Sequence, residues 1–171
     1  AKHLIIEENC SFVAPMTAPR VETDRVTLTI QSKSGKPVYP FAEIDKSSQK
    51  IGRIVAELIS DGDCLQTGIG AVPSAILANL KNHSDLGFHG GLLDDAVMDL
   101  IELGVVNGSR KEIDRGEHII GMALGSEKML NWLAANRKAE TVVFKSANYT
   151  HDINIISRLE NFVSINSAVQ V

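Results

Sequence analysis

A turn with two glycines is the part of the sequence best suited to chemistry. Gly68 and Gly70 are separated by Ile69, and Pro73 follows where we predict the first position of a helix. Glycine lets a backbone approach a ligand closely, and proline at a helix start gives up an N–H group that has no partner inside the helix. The turn therefore predicts free N–H donors at the positive end of a helix dipole. Such donors suit a phosphate, a carboxylate or the developing oxyanion of a thioester carbonyl.

Two other interpretations of this turn remain open. Gly68 and Gly70 match two of the three glycines of a dinucleotide-binding fingerprint, but Pro73 stands in place of the third. The acidic residue that would hold the ribose could only be Asp85, which precedes the second predicted strand instead of ending it. The other alternative is a strand-to-helix turn whose glycines serve packing alone.

A second candidate group is formed by His89, Gly90 and Gly91, at the predicted end of a strand. A single histidine is usually a hydrogen-bonded structural residue, but ligands bind at strand ends in α/β sheets. The other histidines are scattered and give no metal-ligand spacing, so we expect no zinc site; they are His3, His83, His118 and His151.

Other residues with reactive or aromatic side chains have simpler structural explanations. Ser74 does not lie in a Gly-x-Ser-x-Gly elbow, and we expect it to cap a helix. Asp94 and Asp95 are consecutive and point in different directions on a helix, so they are predicted to interact with the helix dipole and not to form an acid/base pair. Trp132 is predicted to be a core residue or a surface anchor.

The composition is that of an ordinary globular protein. The 171 residues are 44% hydrophobic, with a net charge of −4 and a pI near 5.7. No run approaches the roughly 20 apolar residues that span a bilayer, and no signal peptide is evident, so we expect a cytoplasmic protein without a membrane partner. Nucleic acid is not an expected partner because lysine and arginine are not clustered. Cys10 and Cys64 have no metal-ligand spacing.

Residues 1–45 differ in texture from the rest of the chain. They hold four of the five prolines but only one of the thirteen glycines. We predict an extended segment or linker from a preceding half of the protein, with short strands near residues 4–6 and 25–30.

Residues 46–171 alternate between predicted helices and apolar strands. A first helix, capped by Asp45 or Ser47, has an apolar face that we expect to be buried; it carries Ile51, Ile54, Val55, Leu58 and Ile59. Strands are predicted from Cys64 and over 85–89, 118–124 and 141–144, and helices from Pro73, over 93–101 and after a Ser126 cap. The alternation predicts an α/β fold with an open, mostly parallel sheet and helices on both faces.

The last ten residues, 162–171, form a strand-like pattern that runs to the final residue. Domains seldom stop inside a core strand, so we expect a chain truncated at its C-terminus. The edge left by such a strand must be covered by something.

Four segments together resemble the acetyl-CoA hydrolase/transferase family, which includes 4-hydroxybutyrate and acetate CoA-transferases. They are residues 65–73, 85–89, 95–106 and 165–169, in the family's order. The resemblance covers about residues 47–171. It implies a chain more than twice as long, with two related α/β halves, of which this sequence holds the end of the first and the front of the second.

The resemblance implies transfer of CoA between an acyl-CoA thioester and a small carboxylic acid. In that family a glutamate attacks the thioester and a glutamyl-CoA intermediate forms. The implied partners are the acyl-CoA, the carboxylate and the remainder of the same polypeptide, and a homo-oligomer is left open. No metal and no permanently bound cofactor is implied. The residues implied to hold the thioester are Gln66, Gly68, Ile69, Gly70, Pro73, His89, Gly90 and Gly91.

The sequence departs from the family at the nucleophile. The family has His-Thr-Glu or His-Ser-Glu after the strand, whereas this chain has His89, Gly90 and Gly91. Glycine offers no carboxylate, so no catalytic residue is assigned. Three hypotheses follow: a nucleophile from another part of the protein, direct hydrolysis by a water activated near His89, or a CoA- or nucleotide-binding module without catalysis.

Overall fold

A computed structural model describes residues 2–11, 13–36, 38–39 and 43–168. Within the N-terminal segment, strands β1 (Ile5–Asn9) and β2 (Leu28–Ser32) pair in parallel, and a 3₁₀ turn, Thr23–Arg25, precedes β2. The two predicted strands are therefore present, each shifted toward the C-terminus. Pro37 and Pro40, which contribute to the predicted texture of this segment, lie outside the described residues. The boundary at residue 45 stays a prediction.

The rest of the chain alternates helices and strands, as its hydrophobic pattern predicts. In order they are α1 (Lys46–Ala56), β3 (Cys64–Thr67), α2 (Ala71–Ala78), β4 (Gly87–Phe88), β5 (Leu92–Leu93), α3 (Asp95–Glu102), β6 (His118–Ile120), β7 (Met122–Ala123), α4 (Glu127–Ala135), a 3₁₀ turn (Arg137–Thr141), β8 (Val142–Phe144), α5 (Ala147–Thr150), α6 (Ile153–Ile156) and β9 (Phe162–Ile165). No helix in the described ranges is long and apolar enough to cross a bilayer.

The central sheet is parallel at every described pairing. Strand β3 lies between β4 and β9, and β6 pairs with β8. A parallel bridge between His89 and Ile119 joins the two groups. The strand order is therefore β9-β3-β4-β6-β8, and the predicted α/β fold is confirmed. Because the strands run in one direction, their carboxyl ends meet at one edge of the sheet.

Two of these strands are interrupted where they reach that edge. The chain of β4 continues as β5, and the chain of β6 continues as β7, with β5 and β7 again paired in parallel. At the interruption, the carbonyl of Gly91 accepts hydrogen bonds from the N–H groups of Gly121 (3.2 Å) and Met122 (2.9 Å). The single strand predicted over 118–124 is therefore divided at Gly121. A Cβ atom there would lie 3.0 Å from the Gly91 carbonyl oxygen.

The caps at Asp45 and Ser126 agree with the sequence signals, whereas Ser74, predicted to cap a helix, lies inside α2, which has no side-chain cap. Asp45 accepts a hydrogen bond from the Ser48 N–H group at 2.7 Å and Ser126 accepts one from Met129 at 3.2 Å. Helix α2 begins at Ala71, so Pro73 is its third residue and not its first. Proline is tolerated there because the N–H groups of the whole first turn lack partners within the helix.

The predicted inward face of α1 is only partly right, because Val55 packs against the core and Ile59 is buried, but the other three residues of that face are exposed. Ile51, Ile54 and Leu58 are 42%, 54% and 77% exposed, whereas Ser48, Gly52 and Ala56 are buried. The physical reason is the close approach of α1 to α2. A Cβ atom on Gly52 would lie 2.6 Å from the carbonyl carbon of Ala75, so only small residues fit this contact.

The end of the chain also differs from the prediction. Strand β9 ends at Ile165, residues 166–168 are not in a strand, and residues 169–171 lie outside the described part of the chain. The two short helices α5 and α6 are absent from the sequence prediction. Leu93, predicted in a helix, lies in β5, and Asp94 caps α3 by accepting a hydrogen bond from Val97 N–H at 3.0 Å.

We predict that Gly52→Ala destabilises the protein. Alanine normally favours a helix over glycine by about 1 kcal/mol, but here the new methyl group would meet the Ala75 backbone at 2.6 Å. Overpacking of this kind costs about 1–3 kcal/mol, so the net free energy of unfolding should fall. Urea denaturation measures the change.

The control for this variant is Gly35→Ala, because a Cβ atom at Gly35 meets nothing within 4 Å. It should leave the urea midpoint within error. A Gly52→Ala protein as stable as the wild type would contradict the close contact between α1 and α2.

Candidate functional site

The parallel register brings four chain segments together at the carboxyl edge of the sheet. Residues 66–70 follow β3, Gly90 and Gly91 follow β4, Gly121 separates β6 from β7, and residues 164–166 end β9. We call this group the edge site. The contacts are close, since a Cβ atom on Gly90 would lie 3.2 Å from Cγ of Gln66. The two glycine groups singled out in the sequence are therefore neighbours.

The glycine turn of the edge site presents some of the predicted N–H groups. The N–H of Gly68 is not free, because it donates to the Ile165 carbonyl at 2.9 Å. The N–H groups of Ile69 and Gly70 have no hydrogen-bond partner among the described residues. Gly70 has a φ of +113°, which side chains rarely allow, and α2 begins beyond it without a side-chain cap. Two backbone donors are therefore available at the positive end of α2.

Gln66 adds a side-chain donor to the same edge. Its Oε1 atom accepts hydrogen bonds from Asn166 Nδ2 (3.2 Å) and from the Ser164 hydroxyl. Both partners come from β9 and the residue after it. The amide oxygen is thus engaged, while Nε2 has no partner among the residues that the structure describes. The arrangement orients the amide nitrogen of Gln66 as a free donor.

Gly91 lies against the ring of His151. A Cβ atom on Gly91 would lie 2.8 Å from Cε1 and 3.0 Å from Nε2 of His151. The imidazole follows α5 and is exposed, and its Nδ1 atom is 2.7 Å from the hydroxyl of buried Thr150. No sequence motif connects His151 with Gly91, because the two are far apart in the chain and meet only through the fold.

His89, predicted as a binding residue from its place at a strand end, lies beneath the edge and is fully buried at 0% exposure. Its ring packs near Tyr149 and Phe162, with centroid distances of 5.9 and 6.4 Å. Neither ring nitrogen has a hydrogen-bond partner in the described ranges. Burial, followed by the positive charge of Lys111, lowers the pKa of His89, although Asp114 and the Tyr149 backbone act in the opposite direction. A hydrolytic water at His89 finds no support in this placement.

Other polar groups beneath the edge are also held uncharged or engaged. The Lys111 ammonium is buried and donates to the Glu117 carbonyl at 2.8 Å, and burial lowers its pKa. Burial raises the pKa of the Cys64 thiol to about 12. Burial lowers the pKa of His118 to about 4. A protonated thiol is a weak nucleophile, so this layer supports the sheet and offers no attacking group.

A cavity of about 230 Å³ opens beside Gly70. Its lining includes Ile69 and Ser74 and three aspartates, which are the α3 cap Asp94 and the α3 residues Asp95 and Asp99. Burial raises the pKa of Asp94, and Asp95 accepts a hydrogen bond from Ser126 N–H at 2.7 Å. The acidic wall disfavours a free anion inside this cavity and suits a neutral polar chain. Within the described residues, no group of three or more His, Cys, Asp or Glu could hold a metal ion.

Comparisons with known proteins give related sequences and structures. No family model matches the chain. The chain is 40% identical over 121 residues to 4-hydroxybutyrate coenzyme A transferase of Clostridium kluyveri. The matched residues make up 71% of this chain and 28% of that protein. RipA from Yersinia pestis has a TM-score of 0.88 and 30% identity, covering 100% of this chain and 39% of RipA. For 4-hydroxybutyrate CoA-transferase from Porphyromonas gingivalis the TM-score is 0.85 and the identity 27%, covering 99% of this chain and 43% of that structure.

The chain thus spans between 28% and 43% of the length of these relatives. Coverage of this chain is nearly complete in both structural matches. The likeness therefore includes the edge site and the sheet that supports it, and not an isolated motif.

We predict that the buried histidines make the protein sensitive to acid. The pKa of His118 is about 4 in the folded protein against 6.5 ordinarily, so between these values the unfolded chain binds a proton that the folded chain does not. The contribution of His118 to the free energy of unfolding is complete well above pH 6.5. It falls as the pH drops, and the loss is about 2 kcal/mol at pH 5. His89 acts in the same direction. Urea unfolding at pH 7.5 and pH 5 measures the loss.

His118→Gln should reduce this loss, because glutamine does not titrate. His3→Gln, at an exposed histidine, should leave the loss unchanged and serves as the matched control. Parallel pH dependences for His118→Gln and the wild type would contradict the assignment to His118.

Proposed function

Since the chain belongs to the family of CoA transferases that includes 4-hydroxybutyrate CoA-transferase, we propose that the protein acts on acyl-CoA thioesters and transfers CoA to small carboxylic acids. The named relatives support this chemistry at the level of CoA transfer. The acyl group and the acceptor acid are not specified by the residues of the edge site. Because the chain spans less than half of each relative, we expect other parts of the full-length protein to complete the groove.

The observation that carries the proposal is the set of free donors at the edge site. The N–H groups of Ile69 and Gly70 and the amide nitrogen of Gln66 have no partners among the described residues. Attack on a thioester places negative charge on its carbonyl oxygen, and donors fixed in advance stabilise that charge without reorganisation. The helix dipole of α2 adds to this effect.

The cavity beside Gly70 gives the substrate a place to lie. Its aspartate wall repels phosphates and free carboxylates, but the pantetheine arm of CoA is neutral and carries amides that can donate to carboxylate oxygens. Ile69 adds an apolar contact to the lining of the cavity. We propose that this cavity holds a neutral part of the thioester, while the phosphates of CoA lie elsewhere.

Because Gly91 carries no carboxylate, two reaction types remain to be considered. Covalent transfer needs a nucleophile, and Gly91 provides none, so transfer would depend on a nucleophile from another part of the protein. Hydrolysis needs only a positioned water and a base. A specific observation favours hydrolysis as the second candidate, namely the exposed His151 ring beside Gly91.

Mass spectrometry of the full-length protein mixed with butyryl-CoA, with and without acetate, tests the proposal. Acetyl-CoA or a glutamyl-CoA adduct supports transfer, and free CoA without an adduct supports hydrolysis. Unchanged butyryl-CoA together with a raised melting temperature indicates a binding module without catalysis. Unchanged butyryl-CoA and an unchanged melting temperature would refute the proposed function.

We predict that Gln66→Leu lowers kcat by about 100-fold with little change in KM, because it removes one oxyanion donor and keeps the bulk of the side chain. Ser164→Ala is the matched control. It removes a hydroxyl that bonds to Gln66 Oε1 but leaves the donor in place, so its effect should stay below about tenfold. Steady-state kinetics on both variants distinguishes loss of the Gln66 donor from loss of the Ser164 hydrogen bond that orients it. An unchanged kcat in Gln66→Leu would show that Gln66 does not stabilise the oxyanion.

A further inference from the structure

We propose that His151 is the general base of the edge site and that the nucleophile it activates is water. This inference rests on the proposed function, because it assumes that the edge site holds an acyl-CoA thioester. It assigns the hydrolytic branch of that chemistry to one side chain. It also explains how a site without a carboxylate at position 91 catalyses hydrolysis of the thioester.

The position of the imidazole carries the inference. The first side-chain atom of any other residue at position 91 would lie 2.8 Å from Cε1 and 3.0 Å from Nε2 of His151. Apart from its chain neighbours, no other described residue comes within 4 Å of that point. The ring of His151 therefore occupies the space that a side chain of residue 91 would enter.

The surroundings of the ring suit a base. Nδ1 is 2.7 Å from the hydroxyl of Thr150, which fixes the orientation of the ring, and the direction of this hydrogen bond depends on the tautomer. In the tautomer in which Nδ1–H donates to the hydroxyl oxygen, Nε2 keeps its lone pair and faces Gly91. His151 is exposed, so water and substrate can reach it.

The other polar side chains near the edge site are less suited to this role. Gln66, Ser164 and Asn166 are neutral and bond to one another. Asp94 and Asp95 belong to the cavity wall and accept hydrogen bonds from backbone N–H groups. A general base must reach the water that attacks the carbonyl, and His151 is the ionisable side chain placed beside Gly91.

The proposed step is balanced with water as the sole co-reactant. Nε2 of His151 takes a proton from water while the water oxygen bonds to the thioester carbonyl carbon. The resulting oxyanion is held by the free donors of Gln66, Ile69 and Gly70. The carbon–sulfur bond then breaks, and the sulfur leaves with the proton returned by His151. The products are a carboxylic acid and free CoA thiol.

The experiment compares full-length wild type with His151→Ala, using butyryl-CoA as the probe and release of free thiol as the signal. We expect kcat to fall by about 100-fold or more in the variant, with KM within about twofold, since the base acts on the reaction and not on binding. Added imidazole should restore part of the lost rate, which a merely structural role would not produce. His3→Ala, at an exposed histidine outside the edge site, should match the wild type.

The outcomes separate the inference from the proposed function. If the wild type hydrolyses or transfers butyryl-CoA and His151→Ala does so equally well, the role of His151 is overturned while the thioester activity stands. If the wild type binds butyryl-CoA without turnover, the inference also fails. If it neither binds nor reacts, both fail.

A paired substitution tests the shared space directly. Gly91→Glu alone should place its side chain against the His151 ring, disturb that ring and lower hydrolysis. Gly91→Glu combined with His151→Ala provides both a carboxylate and room for it. We expect the double variant alone to form a glutamyl-CoA adduct, visible by mass spectrometry. An equal yield of adduct in Gly91→Glu alone would show that the His151 ring does not exclude a side chain at position 91, and would contradict the inference.

Discussion

The edge site depends on the parallel register between β3 and its neighbours. The N–H group of His89 donates to the Leu65 carbonyl, and that of Gly90 donates to the Ile119 carbonyl, both at 2.9 Å. These bonds continue the ladders of β3 and β6 up to the point where the strands are interrupted. A shift by one residue would reverse which side chains face the core, moving His89 out of its buried place. The register therefore determines that the glycines, and not the histidine, lie at the edge.

The layer beneath the glycines is polar but closed. His89, Lys111 and His118 are buried, and burial lowers the pKa of all three. Tyr149 crosses this layer and donates from its hydroxyl to the Asp114 carboxylate. Such groups stabilise the fold only in their neutral or hydrogen-bonded forms. These buried groups pack beneath the edge site, while the N–H groups of Ile69 and Gly70 and the amide nitrogen of Gln66 have no partner among the described residues.

The absence of a side chain at Gly91 has a chemical and a steric consequence. Chemically, glycine offers no carboxylate at the position where the family resemblance implies the nucleophilic glutamate. Sterically, it admits the ring of His151 to the same place. In the function proposed above, a thioester binds at this edge, and the residues around position 91 determine which group can attack it. The two consequences arise from one residue and are best tested together.

The sequence by itself determined the local features of the protein. The positions of the longer helices, the caps at Asp45 and Ser126, and the glycine turn are all set by neighbours within a few residues, and the structure reproduces them. The alternation of strands and helices likewise determined the α/β class. These features follow from the sequence because hydrogen bonds and sterics over one or two turns control them.

Only the tertiary structure decided which residues meet. The inner face of α1 was set by the approach of α2 to Gly52, which outweighed the larger hydrophobic residues on the other face. His89 was buried by Tyr149 and Phe162, which come from distant segments. His151 reached Gly91 only because α5 returns to the edge of the sheet. Contacts between residues far apart in the chain depend on packing and register, which a local pattern does not contain.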